Sequence, residues 1–348
     1  MRLPRRNRRQ ENGGAAAVAD RPADDFEETL DELRTEIAAL TAENRANPDH
    51  ERERRLLRAR HLAGVRLLDA APNNPQFAAP APDQLRDGAP LPEFSRDELT
   101  PGLVRAAILR DGCVLVRGLV PRDDALRLAA EIDHAYALRE DLEEGGSAQG
   151  YYEEFEPHSR FEPPWRPWIK MGGGLLAADS PQLFFQMMEL FESAGLPELV
   201  AGYLGEPALI TTHKTTLRKA DPEVSGAWHQ DGYFMGPVRA LNLWLSLSRC
   251  GDVAPGLDVL PRRLDDYVST GTEGADLTWT ISDHEVDQVA GDKPVIRPIF
   301  EPGDAMFFDE LFLHKTGSDP SMPKPRFAIE NWFFGGSAFP GEYAPIAV

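Results

Sequence analysis

The stretch Trp228-His229-Gln230-Asp231-Gly232 sets a histidine and an aspartate one residue apart. In extended backbone alternate side chains share a side, so His229 and Asp231 can reach one point while Gln230 faces away. A second histidine, His314, follows the apolar run 305–313. Two imidazoles and one carboxylate can take one face of an octahedral ion and leave three positions open, the arrangement of non-haem iron(II) oxygenases. These donors suit Fe(II), Mn(II), Co(II) or Zn(II), and without a nearby thiolate cluster a structural zinc is not expected.

A basic residue stands beyond the distal histidine. Arg326 opens the apolar stretch Phe327-Ala328-Ile329, and a guanidinium binds a carboxylate through two parallel hydrogen bonds. Such a clamp matches the far carboxylate of 2-oxoglutarate, whose other end would chelate the metal and leave one position for dioxygen. Thr316 offers a hydroxyl to the same carboxylate, and Lys324 competes with Arg326 for the role. Gln230, His213, Trp244 and Lys170 are candidates to line a substrate pocket. Asp309 and Glu310 are candidates to orient His314. His50, His61, His158 and His284 lie in polar or helical stretches, and no role is expected for them.

The elements that must position these residues fall into two halves. Residues 1–22 are Arg, Gly and Ala rich and read as a disordered basic tail. Residues 23–70 read as a helical region, with Phe26, Leu30, Leu33, Ile37 and Leu40 forming a heptad-like seam. That seam predicts a helical hairpin packed on the main domain, with a homodimer through these helices as the alternative. Residues 71–93 hold six prolines, which predicts an extended linker. A dioxygenase-sized domain is expected over 94–348. It opens with helices over 98–109 and 123–138 around a buried strand at 113–116. An aromatic, Gly/Pro-rich segment over 139–174 reads as a lid or binding loop, and a helix follows over 181–204. Short strands are then expected at 208–217, 240–247, 257–260, 295–300, 305–308 and 327–334. The fold class is mainly β with bracing helices (α+β), as a sandwich or barrel.

Composition narrows the function classes. The 348 residues carry a formal net charge of −20, a field that repels nucleic acid and anionic lipid. No apolar run approaches the roughly 20 residues of a membrane span, and the basic N-terminus lacks the apolar stretch of a signal peptide. The two cysteines, Cys113 and Cys250, make no disulfide framework. A cytoplasmic protein acting on a small molecule, with neither nucleic-acid nor membrane partner, is expected.

Taken together, His229-Gln230-Asp231, His314, Thr316 and Arg326 resemble the phytanoyl-CoA dioxygenase family of iron(II)/2-oxoglutarate oxygenases. So do Trp244 in the strand after the motif, Gly256-Leu257-Asp258-Val259-Leu260-Pro261, and the Asp-Gly turn into strand 113–116. The resemblance covers about residues 96–335. Arg262-Arg263-Leu264 stands where the family commonly has Gly-Ser-His. The resemblance implies a double-stranded β-helix (jelly roll, cupin-like) core with Fe(II) at its mouth. It also implies 2-oxoglutarate as cosubstrate, O2 as oxidant, and succinate and CO2 as products. Because Asp231 is present, hydroxylation, desaturation or ring closure is implied in preference to halogenation. The competing readings are a zinc- or manganese-dependent hydrolase or isomerase on a cupin-like scaffold, and a non-catalytic binding protein that keeps the fold.

Overall fold

The computed structural model describes residues 26–147, 150–223 and 226–348; the tail expected over 1–22 lies outside them. Helix α1 (Leu30–Ala46) starts at Thr29, whose side chain accepts from Glu32 N while the Glu32 carboxylate returns to the Thr29 backbone, a reciprocal capping box. Asp49 caps α2 (His50–Asp69). The seam of α1 turns inward: Leu33 packs with Ala59, Leu62 and Ala63 of α2 and with Ala347 near the C-terminus. Leu57 of α2 belongs to the main core, so the hairpin is built into the domain.

The proline-rich segment 71–93 is extended apart from one 3-10 turn at Pro82–Gln84. It is a strap more than a free spacer: Gln76 N donates to Gly205 O, Ala78 N to Gly202 O and Ala81 N to Gly102 O. Then follow β1 (Glu93–Ser95), α3 (Pro101–Asp111), β2 (Cys113–Arg117), α4 (Arg122–Glu143), α5 (Arg166–Met171) and β3 (Gly174–Leu176). Next come α6 (Pro181–Ser193), α7 (Leu196–Leu204), β4 (Ala208–Thr211), β5 (Thr215–Ala220), α8 (Gly232–Met235), β6 (Ala240–Ser246) and β7 (Gly256–Val259). The chain ends with α9 (Asp283–Ala290), β8 (Ala305–Phe308), β9 (His314–Gly317), β10 (Arg326–Gly335) and β11 (Pro345–Ala347).

The large sheet runs β1-β2-β8-β6-β10-β4-β11, with β5 also on β10 and β3 on β5. The facing layer is the antiparallel pair β7-β9, widened by bridges between His229 and His314, Trp228 and Ile281, and Val259 and Ile296. Two β layers closing over one interior make the jelly roll. Register fixes which side chains enter it. Glu330 lies opposite Thr216 and Trp244, whereas Ile329 lies opposite Leu217 and Leu245, and directly opposed residues share a face. The inner set therefore holds Ala328, Trp332, Phe334, Trp244, Met306 and Phe308 with Leu257 and Val259 of the facing layer. The outer set, Ile329, Phe333, Leu243 and Phe307, packs on Ile132, Leu183 and Met187 of the bracing helices. With both faces covered, β6 is buried at every position, as a near-continuous apolar strand must be.

Three expected elements differ. The strand over 208–217 breaks into β4 and β5 because the Thr211 hydroxyl accepts from His213 N and Lys214 N, a side-chain turn that competes with the ladder. The helix over 181–204 is interrupted at Gly195, at φ 71°. The strand expected over 295–300 contributes only bridges at Ile296 and Phe300, since Pro298 has no amide to donate.

Candidate metal centre

His229 and His314 oppose each other directly. His229 N donates to His314 O at 3.1 Å and His314 N returns the bond at 3.2 Å. A pair that exchanges both bonds presents its side chains on one side of the ladder, so backbone pairing alone brings the two imidazoles together, with ring centroids 4.5 Å apart. Asp231 arrives differently from the strand alternation expected for it. The chain leaves the strand at Gln230, and Asp231 has helical φ −62° and ψ −30° as the cap of α8. Gly232 makes this turn possible: a Cβ there would lie 2.9 Å from the Glu310 carbonyl oxygen and would collide with the Tyr267 hydroxyl.

One donor atom from each of His229, Asp231 and His314 lies within 4.8 Å of the others, the one such group among the described residues. Asp231 Oδ2 is 3.5 Å from His314 Nε2 and 4.0 Å from His229 Nε2. Facial donors at bonding distance from one ion stand about 3 Å apart, so small side-chain rotations close the set. The tautomers are already chosen. His229 Nδ1 lies 2.8 Å from Ala227 O and His314 Nδ1 lies 3.1 Å from Phe312 O. A carbonyl only accepts, so each ring donates from Nδ1 and turns a bare Nε2 lone pair inward. Burial, reinforced by His229, pushes the His314 imidazole down to about 4. It is therefore neutral, as a ligand must be. Burial alone would raise the Asp231 carboxyl, but Lys214, the two histidines and Arg218 outweigh it and hold the group below its usual range. Lys214 Nζ stands 3.8 Å from Asp231 Oδ1.

Behind the ligands lies a buried charge. Arg326 is 2% exposed; Nη1 donates to Gly256 O at 3.2 Å, Nη2 stands 3.6 Å from Glu330 Oε1, and Nε has no partner. Thr316 faces the same side as His314 on β9 and lies opposite Leu257, the neighbour of Gly256. Trp244 walls this region, with the Arg326 guanidinium 5.3 Å from its ring centroid and its own Nε1 unpartnered. A buried guanidinium so thinly satisfied is costly and fits a carboxylate ligand. The residues present thus fit both a divalent ion and a dicarboxylate.

Other sequence candidates fall elsewhere. Gln230 is held by backbone: its amide donates to Asp266 O and Leu311 O and accepts from Val268 N. Lys170 is exposed on α5 and pairs with Glu143. Lys324 is exposed. Asp309 pairs with Arg263, and Glu310 accepts from Ala240 N; neither orients His314, which uses the Phe312 carbonyl. Arg263, at the departure from the family pattern, thus forms an internal tie. His213 stacks on Tyr343 with centroids 4.5 Å apart, and burial lowers it to about 4. His61, for which no role was expected, is a buried pin: Nδ1 meets Pro345 O at 2.6 Å and Nε2 accepts from His158 N at 2.9 Å.

Sequence reasoning missed Lys214, Arg218 and Glu330. Arg218 Nε donates to Glu330 Oε2 at 2.8 Å, and Nη1 donates to Gly172 O at 2.7 Å. Their signal was present: both charges fall on the inward parity of their strands, where only a satisfied network is tolerated.

No family model matches the chain, and no curated protein matches it. Among solved structures it is similar to AviO1 from Streptomyces viridochromogenes Tue57, at 20% identity over 70% of this chain and 98% of that one, TM-score 0.45. It is similar to the epimerase SnoN in complex with Fe3+, alpha ketoglutarate and nogalamycin RO, at 18% identity over 67% and 83%, TM-score 0.46. EctD from S. alaskensis with 2-oxoglutarate and 5-hydroxyectoine aligns at 18% identity over 68% and 77%, TM-score 0.47. Among the described residues no helix is long and apolar enough to cross a membrane.

Proposed function

We propose that this chain is an iron(II)- and 2-oxoglutarate-dependent oxygenase that hydroxylates, or otherwise oxidises, a small molecule with release of succinate and CO2. The observation that carries the reading is Arg326, a buried guanidinium with an unpartnered Nε, in the same barrel interior as two imidazoles and a carboxylate. A metal hydrolase or isomerase needs the three ligands but has no use for a dicarboxylate clamp.

His229 Nε2, Asp231 and His314 Nε2 would hold the ion. Iron(II) held there with 2-oxoglutarate and dioxygen would supply oxidising chemistry coupled to conversion of the oxo acid into succinate and CO2. The chain's residues do the rest. The Ala227 and Phe312 carbonyls lock both imidazoles in the ligating tautomer. Arg326 and Thr316 would take the far carboxylate, with Glu330 holding the guanidinium in line. Trp244, Phe308 and Trp332 keep the interior apolar, which strengthens the guanidinium–carboxylate pair. Lys214 lies beside Asp231 and favours the ionised carboxylate.

The test is product formation without a known substrate. Purified protein with Fe(II), 2-oxoglutarate and air should release succinate slowly, and Mn(II) or Zn(II) should not replace Fe(II). Absence of succinate, from folded protein that binds Fe(II), would sink the oxygenase reading in favour of the hydrolase or isomerase.

A further inference from the structure

Asn242 is a polar side chain of β6 that the fold leaves unserved. It is 3% exposed and lies opposite Trp332 on β10 and Phe308 on β8. Both belong to the inner set, so the Asn242 amide enters the barrel interior with them. Its Oδ1 is buried with no hydrogen-bond partner, and among the described residues Nδ2 makes no hydrogen bond either. Ser246, on the same face of the same strand, shows the ordinary solution: its hydroxyl donates to Ser248 O. A buried amide with nothing to bond is costly, and most such groups are paired. Here it points to a partner that arrives from outside the fold.

The position of Asn242 says which partner. It stands between the Arg326 guanidinium and the metal ligands. Phe308, directly opposite, packs on His314 with ring centroids 4.7 Å apart. The next inward residue on one side is Trp244, with the Arg326 guanidinium 5.3 Å from its ring centroid. The next on the other side is Ala240, whose N donates to Glu310 Oε2; the Glu310 carbonyl accepts from Gly232 N, the neighbour of Asp231. Successive inward residues of a strand lie about 7 Å apart. The two carboxyl carbons of an extended five-carbon diacid lie about 5 Å apart at ordinary bond lengths. A 2-oxoglutarate whose far carboxylate meets Arg326 beside Trp244 therefore extends its oxo acid end towards Asn242.

We propose that Asn242 is a cosubstrate-binding residue whose Nδ2 donates to the metal-proximal carboxylate of 2-oxoglutarate. The proposal rests on the oxygenase reading. An amide suits the task. Half a turn of the side chain exchanges Oδ1 and Nδ2, and with neither atom engaged the exchange breaks no bond. A carboxylate only accepts, so it selects the nitrogen. The amide is neutral and adds no charge to compete with the three ligands for the ion. Phe308 and Trp332 flank it with apolar surface, and a hydrogen bond to an ionised group is stronger in such surroundings. A trapped water could occupy the same place, and it gives a different result in the experiment below.

The test is an anaerobic titration of the Fe(II)-loaded full chain, read from the visible charge-transfer band of the chelate. The two ligands are 2-oxoglutarate and 2-oxopentanoate, which keeps the oxo acid end and lacks the far carboxylate. Asn242→Leu keeps the branching of the side chain without its polar atoms. It should weaken both ligands by roughly tenfold or more, with Fe(II) affinity within threefold of wild type and a melting temperature no lower. Asn242→Ala, which cannot overpack, carries the same test if the leucine variant does not fold. Arg326→Met should weaken 2-oxoglutarate and leave 2-oxopentanoate unchanged. Wild-type 2-oxoglutarate affinity in the Asn242 variants, the outcome for a trapped water only, overturns the proposal. So does a loss confined to 2-oxoglutarate while 2-oxopentanoate binds as before. If folded wild-type protein binds Fe(II) but gives no band with 2-oxoglutarate, the oxygenase reading itself fails; a wild-type band that the Asn242 variants match fails Asn242 alone.

Discussion

Replacing Arg326 by Met removes the clamp while nearly keeping its volume. In the structure the guanidinium makes one backbone hydrogen bond, to Gly256 O at 3.2 Å, and one looser ion pair, to Glu330 at 3.6 Å. Its remaining donor capacity is free for a carboxylate. Truncating one partner of a buried, hydrogen-bonded charge pair costs about 2–5 kcal/mol, so the Kd for 2-oxoglutarate should rise by roughly 30- to 4,000-fold. Arg326→Lys keeps the charge but loses the planar fork and should fall between, near tenfold. The assay is an anaerobic titration of the Fe(II) protein with 2-oxoglutarate, read from the weak visible charge-transfer band of the chelate. Fe(II) affinity, measured in the same samples without 2-oxoglutarate, should change less than threefold, since the guanidinium touches no metal ligand. If 2-oxoglutarate affinity moves less than threefold, or both affinities fall together, Arg326 does not hold the cosubstrate.

Two further outcomes test the surroundings. Arg218→Met should destabilise the fold by roughly 3 kcal/mol, because it strands Glu330 without its closer partner. It should also raise the 2-oxoglutarate requirement; a melting temperature and a titration equal to wild type would remove Arg218 from the network. His61 links stability to pH. Burial holds its imidazole at about 4, against 6.5 when free, so between these values the unfolded chain binds more protons than the folded one. Its contribution is complete above pH 6.5 and lost as pH falls towards 4, by roughly 3 kcal/mol in all. His61→Gln should flatten the fall of melting temperature over that range, and an unchanged slope would contradict the role assigned to His61.

How much of this was legible in the sequence follows from which physics fixes each part. The ligand set was readable because donor type limits the choice of metal and because His229 and Asp231 sit so close in the chain. Arg326 was readable from its place at the head of an apolar strand. The pairing of His229 with His314 was not, since a long-range bridge leaves no local pattern. Nor was the helical turn at Asp231, which depends on Gly232 fitting against the Glu310 carbonyl. Short apolar runs set off by Gly and Pro located β6, β8 and β10 to within a residue or two. That pattern failed at 208–217, where the Thr211 hydroxyl competes for backbone amides, and at β9 and β11, which are too short to carry it. Lys170 and Gln230 show the opposite failure: a cation able to meet an anionic group and a place between two ligands suggested pocket roles, but an ion pair with Glu143 and three bonds to backbone engage them elsewhere.

The most direct measurement is Fe(II) binding by anaerobic calorimetry to the wild-type protein and to Asp231→Ala. The wild type should bind one equivalent per chain, and the variant should lose at least two orders of magnitude in affinity while keeping its circular dichroism spectrum. Undiminished binding by Asp231→Ala, or no binding by the folded wild type, would mean that His229, Asp231 and His314 do not form the metal site.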